Sequence, residues 1–293
     1  MQQRSIKKDM WDIFGPLVLK TVVALIVESI ITMVLCMARV AEDLTTAMTQ
    51  EQIVSIANEI TVEMYQYITE ITAFSALVTI PFLAIMMNSD RNKEKKAGLI
   101  PNKKAPWKEY LYVIGISIPF SLGLNNILLL SNLAEYSEAY QETSEILYSP
   151  SFPVQILCVG IIIPIMEEMI FRGLIYRRMR RNVSMVKAMI FTSLMFGLYH
   201  GNSVQFIYAL LSGLLLSYMY EKYGSLKAPV LAHMLMNIVS CALTEVDVFT
   251  WIFSDMMRVA VITILCAAIA STMFLFIRRI EEKEAQQDTE KMA

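Results

Sequence analysis

Apolar stretches separated by short polar ones run through most of the chain. Most of these stretches approach the roughly 20 residues that an α-helix needs to cross a bilayer. The pattern predicts an all-α fold, a polytopic membrane helix bundle of about eight transmembrane helices. The fifth stretch is short, and we expect it to stop inside the bilayer or to tilt. The eight stretches lie at about 13–38, 69–88, 110–133, 152–176, 188–200, 204–220, 226–243 and 257–277.

The composition agrees with a membrane protein. Of the 293 residues, 56% are hydrophobic, a fraction typical of chains that cross the bilayer several times. We therefore expect a single integral membrane domain over residues 1–293, with the lipid bilayer as its partner and no nucleic acid. The four cysteines fall in four different apolar stretches, which predicts neither a disulfide framework nor a thiolate metal site.

Basic residues are sorted along the chain, although the net charge is only −2. Of the 25 Lys and Arg residues, 21 lie in the amino-terminal tail, the carboxyl terminus and the connections 89–109, 177–187 and 221–227. Since loops rich in Lys and Arg stay on the cytoplasmic side, we predict a multi-pass protein of the cell membrane with both termini in the cytoplasm. The polar tail 279–293 is predicted to be a disordered part of the cytoplasmic side.

Two polar stretches are expected to face outward. Residues 41–68 have apolar positions at helical spacing, which predicts an amphipathic helix near the outer surface. Residues 134–150 are acidic and contain no Lys or Arg. Within the first apolar stretch, Lys20 is close enough to one end to reach the interface, whereas Glu28 has no evident partner.

The fourth apolar stretch contains two adjacent acids, Glu167 and Glu168. A charged side chain at hydrocarbon depth costs about 3 kcal/mol unless it is paired or faces water, so such an acid indicates a functional site. Arg172 follows Glu168 by four residues and shares its helix face, which permits an ion pair. Glu167 is then the less compensated acid. A purely structural ion-pair cluster is the alternative interpretation of these residues.

Both histidines of the chain lie in apolar stretches that follow the two acids. Phe196 precedes His200 by four residues and Asn237 follows His233 by four, so each pair occupies one helix face. At a rise of about 1.5 Å per residue, the acids lie about 12 Å, His233 about 10 Å and His200 roughly 18 Å from the cytoplasmic ends of their helices. These depths predict one shared site in the cytoplasmic half of the membrane.

The groups of this site have two possible uses. Carboxylates, imidazoles, a guanidinium and an amide can activate a water and stabilise an oxyanion. Glutamate and histidine are also ligands of divalent metals such as zinc, which lower the pKa of a bound water toward neutrality. Glu167, His200 and His233 form the candidate ligand set. The chain has no H-E-x-x-H signature, and a metal-bound water and a metal-free glutamate mechanism both stay open.

Three short motifs occur in order along the chain: E-E-x-x-x-R from Glu167, F-x-x-x-H from Phe196 and H-x-x-x-N from His233. Together they resemble the motifs of the CAAX-protease and bacteriocin-processing family (CPBP, or Abi) of intramembrane endopeptidases. That family includes the type II CAAX prenyl endopeptidases. The resemblance covers residues 150–245, interpreted as the catalytic core, and does not extend to the first three spans or the last one.

The resemblance implies a role for each residue of the motifs. Glu167 would be the base that acts on a water, with help from His200. His233 and Asn237 would be the catalytic groups that stabilise the tetrahedral oxyanion. The residues with supporting roles would be Glu168, Arg172 and Phe196.

The implied activity is hydrolysis of a peptide bond in a membrane-associated or lipidated protein or peptide, for CAAX-type processing or for bacteriocin maturation or immunity. The family is commonly labelled a metalloprotease, which implies zinc or another divalent metal as cofactor. Intramembrane ionisable groups also mark transport paths, so a transporter or ion relay is one alternative, and a catalytically silent immunity scaffold is another. The chain shows no inverted repeat of the fourth stretch, which argues against a transporter, and the intact motifs argue against a silent scaffold.

Overall fold

The computed structural model describes residues 6–42, 49–98, 103–133 and 135–280. Regular structure in these residues is entirely helical. The predicted disordered tail lies outside them from residue 281 onward. The helices are α1 (Ile6–Glu42), α2 (Gln50–Gln66), α3 (Ile68–Lys96), α4 (Tyr110–Leu130), α5 (Glu138–Tyr148), α6 (Phe152–Arg180), α7 (Met185–Tyr199), α8 (Ser203–Tyr223), α9 (Lys227–Glu245), α10 (Val248–Phe253) and α11 (Met256–Arg279).

Seven helices in the described part of the chain are long and apolar enough to cross a membrane. They are α1, α3, α4, α6, α8, α9 and α11, and the protein is a multi-pass membrane protein. The predicted all-α membrane bundle is thereby confirmed. The remaining predicted span is α7, whose 15 residues give a length of about 22 Å, less than the roughly 30 Å of a hydrocarbon core. Gly201 has a φ of 77°, a left-handed conformation that favours glycine, and it turns the chain from α7 into α8.

One end of the bundle is held together by ion pairs of the basic residues that end α6. Arg178 pairs with Asp90 of α3 at 2.6 Å and donates to the carbonyl of Asp12 in α1 at 2.6 Å. Arg180 pairs with Glu221 of α8 at 2.7 Å. These bonds connect α6 to three neighbouring helices. We call this end of the bundle the basic end and the opposite end, which carries α5 and α10, the distal end.

The distal end carries two amphipathic helices. The helix predicted within residues 41–68 is α2, which begins at a Thr49 capping box, whereas residues 43–48 lie outside the described part. The acidic connection 134–150 contains α5, a helix that the sequence pattern did not predict. Its amino terminus is capped by Ser137, whose hydroxyl accepts from the backbone N–H of Tyr140. Both helices pack against the bundle beside α3.

The central helix, α6, departs from regular α-helical geometry on both sides of the two acids. Ile156–Ile162 and Met169–Tyr176 are π-helical, and the short α-helical stretch between them ends in Glu168. Every residue of the second π-helical stretch is buried. A π-helical turn is wider than an α-helical one and is rare in proteins. Where such turns do occur, they are frequently at functional sites. The single domain over 1–293 and the catalytic core over 150–245 stay predictions.

Candidate active site

The ion pair that the sequence spacing permits is present at the centre of the bundle. Arg172 Nη1 lies 2.7 Å from Glu168 Oε1, and both side chains are completely buried. Arg172 Nη2 also donates to the carbonyl of Gly213 in α8 at 3.0 Å. The guanidinium therefore neutralises Glu168 and connects α6 to α8, as a buried charge requires.

His233 lies between the two adjacent glutamates. Its Nδ1 is 2.9 Å from Glu168 Oε1, and its Nε2 is 3.8 Å from Glu167 Oε2. Since a carboxylate bound to an arginine accepts, Nδ1 carries the proton and donates it to Glu168. The distance from Nε2 to Glu167 is longer than a hydrogen bond but short enough for direct electrostatic interaction.

Close packing of α9 on α6 makes this contact possible. Gly160 lies in the first π-helical stretch, and a Cβ placed there would be 2.8 Å from Cγ1 of Ile238. At the adjacent positions of both helices, Asn237 Nδ2 donates to the carbonyl of Val159 at 2.9 Å. The absence of a side chain at Gly160 therefore lets the α9 face that carries His233 and Asn237 approach α6.

The Phe196 ring packs against both imidazoles. Its buried ring lies edge-on to His200, with centroids 4.8 Å apart, and to His233, with centroids 5.7 Å apart. The Arg172 guanidinium lies 4.6 Å from the centre of the same ring, within the range of a cation–π interaction. One aromatic side chain thus contacts both histidines and the arginine.

His200 ends α7 and is held by its own helix. Its Nδ1 lies 2.7 Å from the carbonyl oxygen of Phe196. Because a carbonyl can only accept, Nδ1 carries the proton and Nε2 of a neutral imidazole is left as an acceptor.

A cavity of about 640 Å³ adjoins the site. Glu167, His200, His233 and Asn237 line it, whereas Glu168 and Arg172 lie behind its wall. Lys20 of α1 also lines it, with Nζ 5.2 Å from the centre of the Tyr199 ring. From its position near one end of the first apolar stretch, Lys20 was predicted to reach the interface. Its position on α1 could not have identified it as a cavity residue, because α1 contains none of the motifs.

The cavity extends from the site toward the distal end, between α4 and α9, and reaches α5. The location of the site in the half of the membrane next to the basic loops stays a prediction. The open space lies on the side of Glu167 that faces the distal end. Depth along separate helices could not reveal this, because the packing of the helices decides where space is left.

The candidate metal ligands do not converge on one point. Within the described ranges, no group of three or more His, Cys, Asp or Glu side chains is arranged to hold a metal ion. Nδ1 of His233 is occupied by Glu168 and Nδ1 of His200 by a backbone carbonyl, so Nε2 is the nitrogen that each ring would offer to a metal. These nitrogens and the Glu167 carboxylate are not gathered around one point, so the residues present do not fit a zinc site in this geometry.

All seven residues of the three motifs are brought to this one location. A family model described as type II CAAX prenyl endopeptidase Rce1-like matches residues 149–239, which contain all of them. Residues 149–239 belong to this family. The prediction of the family from the three motifs is confirmed.

A curated relative matches a part of the chain of similar length. The protein named "Putative membrane peptidase YdiL" of Bacillus subtilis (strain 168) is 27% identical to the chain over 85 residues. The match covers 29% of this chain and 35% of that protein, so the chain spans about a third of the length of this relative. No solved structure matches the chain significantly. The likeness to CAAX prenyl endopeptidases therefore concerns the core that holds the site.

Proposed function

We propose that the protein is an intramembrane endopeptidase in which Glu167 activates a water against a peptide bond held in the cavity. The observation that carries the proposal is the unequal environment of the two adjacent acids. Glu168 is neutralised by Arg172 behind the cavity wall, whereas Glu167 faces the cavity beside an imidazole. Membership of residues 149–239 in the endopeptidase family supports it.

In this proposal, Glu167 is the general base. It removes a proton from a water whose oxygen attacks the carbonyl carbon of the scissile bond. His200, with Nδ1 held by its own helix, accepts at Nε2 a hydrogen bond from the other O–H of that water, which keeps this hydrogen, and so orients the attack. A positioned base of this kind contributes roughly 10²- to 10⁴-fold to a rate.

The tetrahedral intermediate carries an oxyanion, for which His233 and Asn237 are the donors. They lie on one face of α9 and both line the cavity. The Asn237 amide has a second N–H besides the one given to Val159, and His233 donates from Nε2 when its ring is protonated. Losing one such donor typically costs about 10²- to 10³-fold in rate.

Collapse of the intermediate breaks the C–N bond. The proton taken up by Glu167 passes to the leaving nitrogen, and the second proton of the water, left on the new carboxyl group, then passes to the amine, so that one water is consumed and a carboxylate and an ammonium group are formed. Glu168 and Arg172 do not touch the substrate in this scheme. They hold the His233 ring, because Glu168 Oε1 accepts from both partners. The proposed substrate is a membrane-associated or lipidated protein or peptide, as in CAAX-type processing or bacteriocin maturation.

The test is a cleavage assay with the full chain in lipid nanodiscs. Candidate peptides, prenylated and unprenylated, are incubated with the protein, and the products are identified by mass spectrometry. We expect two complementary fragments whose masses sum to that of the peptide plus one water, and none with Glu167→Gln. A transporter or a silent scaffold would give no fragments with any peptide, and that result would refute the proposal.

A further inference from the structure

The active-site cavity ends beside a helix that the chemistry of the site does not use. Residues of α5 form one wall of the cavity, and α5 joins α4 to α6 at the distal end. The bundle end that holds the Arg178 ion pairs therefore lies on the far side of Glu167. The wall residues of α5 are Tyr140, Thr143, Ser144, Leu147 and Tyr148.

Specific contacts hold α5 in this position. Gln155 Nε2 of α6 donates to the carbonyl of Tyr148 at 3.1 Å, and Thr69 of α3 donates to the carbonyl of Ile146 at 3.2 Å. The Tyr148 phenol is buried against Ser240 and Thr244 of α9, and burial raises its pKa, so it stays neutral. The wall is therefore a packed element, and the cavity beside it is a lasting feature of the fold.

The two ends of the bundle differ in charge. Of the 25 basic residues of the sequence, 21 belong to the tails and connections predicted to be cytoplasmic, and those among them that the structure describes lie at the basic end. At the distal end, α5 carries Glu138, Glu142 and Glu145, all exposed, and no basic residue. The basic residues described there are already engaged: Arg39 pairs with Glu63, and Arg258 donates to a backbone carbonyl.

This charge difference indicates toward which side of the membrane the cavity extends. Segments rich in Lys and Arg stay in the cytoplasm, so the basic end is the cytoplasmic end. The cavity, which extends the other way, then faces the outside. Its rim is negative. Among the described residues that line the cavity, Glu167 and Lys20 are the only ones of the Asp, Glu, Lys and Arg types, and most of the lining surface is apolar.

We propose that the cavity receives its substrate from the extracytoplasmic side, and that this substrate is a peptide with an uncharged segment at the scissile bond and a basic flank beyond it. The proposal rests on the proposed function and adds to it the side of access and the charge of the substrate. The uncharged segment enters the apolar part of the cavity beside Glu167. The basic flank stays at the rim, where the field of the α5 carboxylates concentrates cations.

The experiment uses the full chain in right-side-out and inverted membrane vesicles from one expression host. The probes are two membrane-impermeant fluorogenic peptides with the same uncharged segment, one flanked by lysines and the other by glutamates. Right-side-out vesicles are expected to cleave the lysine-flanked peptide, and inverted vesicles to cleave it only after detergent is added. Cleavage by inverted vesicles alone, by both kinds equally, or by neither without detergent would overturn the proposed side of access.

Two charge reversals test the flank. Glu145→Lys at the rim should lower kcat/KM for the lysine-flanked peptide roughly three- to five-fold at low salt, the scale of an exposed charge pair, and raise it for the other peptide. Glu109→Lys, the same change at the basic end, should leave both values unchanged. Equal effects of the two substitutions, or no preference between the peptides in the unchanged protein, would overturn the proposed basic flank.

A second measurement separates this inference from the proposed function. If no peptide is cleaved even in detergent, the proposed function fails, and access is then measured by labelling. Ser144→Cys is introduced at the cavity wall and Lys95→Cys at the basic end, each in a protein whose four native cysteines are replaced by alanine. An impermeant maleimide added to intact cells should label the first and not the second, and the reverse pattern would overturn the proposed side of access.

Discussion

His233 Nδ1 lies 2.9 Å from Glu168 Oε1, although the two residues are 65 positions apart. The same oxygen accepts from Arg172 at 2.7 Å. The second glutamate of the E-E pair therefore positions the imidazole, and the first is left to face the cavity. This division between two adjacent identical side chains leads to opposite expectations for their substitution.

Glu167→Gln is expected to abolish peptide hydrolysis while the protein remains folded and inserted. The amide cannot take a proton from water, so the rate should fall at least about 10²-fold. Turnover and thermal unfolding in detergent should be measured on the same preparation. Activity within a few-fold of the unchanged protein would contradict the role of Glu167 as base.

Glu168→Gln is expected to lower both stability and activity. It leaves the Arg172 guanidinium buried without a counter-charge, which costs about 3 kcal/mol or more in the free energy of unfolding. Denaturant unfolding should therefore show a loss that Glu167→Gln does not show. If the two variants are equally stable and equally active, the assignment of roles to the two acids is wrong.

Stability and activity should separate when both members of the buried pair are replaced. Arg172→Met alone leaves Glu168 uncompensated, whereas the double variant Glu168→Gln/Arg172→Met removes both charges of the pair together. We expect the double variant to recover much of the lost stability, since neutral replacement of a buried pair is often tolerated. It should stay poorly active, because nothing then fixes the His233 ring. A double variant with full activity would show that Glu168 does not position His233.

Gly160→Ala should impair the site from a distance. The new methyl group would lie 2.8 Å from Cγ1 of Ile238, so α9 must move away from α6 at a cost of about 1–3 kcal/mol. We expect lower activity with His233 and Asn237 themselves unchanged. Ile238→Ala in the same chain removes the clash and should restore part of the activity. If the second substitution restores nothing, the close approach of α9 at Gly160 is not what positions His233.

Chelation of metals should leave hydrolysis intact. The candidate ligands do not converge among the described residues, and the proposed steps use only protein groups and water. Purified protein should therefore be active although elemental mass spectrometry finds well below one metal ion per chain. It should also stay active in the presence of the chelator phenanthroline. Loss of activity on chelation and its return with zinc would instead support a metalloprotease, the interpretation that the family label favours.

The sequence alone determined the membrane-spanning helices and the contacts that lie within one helix. Helical periodicity and length are local properties, so the spans were predicted near their observed positions. The Glu168–Arg172 pair belongs to the same class, since four residues separate its members on one face. The three motifs likewise led to the family, because each is a short spacing that the chain itself displays.

Only the tertiary structure decided which groups meet across helices. The contact of His233 with Glu168 depends on how closely α9 packs on α6, which Gly160 and the π-helical geometry around it set together. The direction of the cavity depends on where the helices leave space, and no periodicity records that. The helix α5 is short and polar, and its few apolar residues line the cavity. Its sequence pattern was therefore too weak to predict a helix. Spacing along one helix is a property of the sequence, whereas distance between helices results from packing.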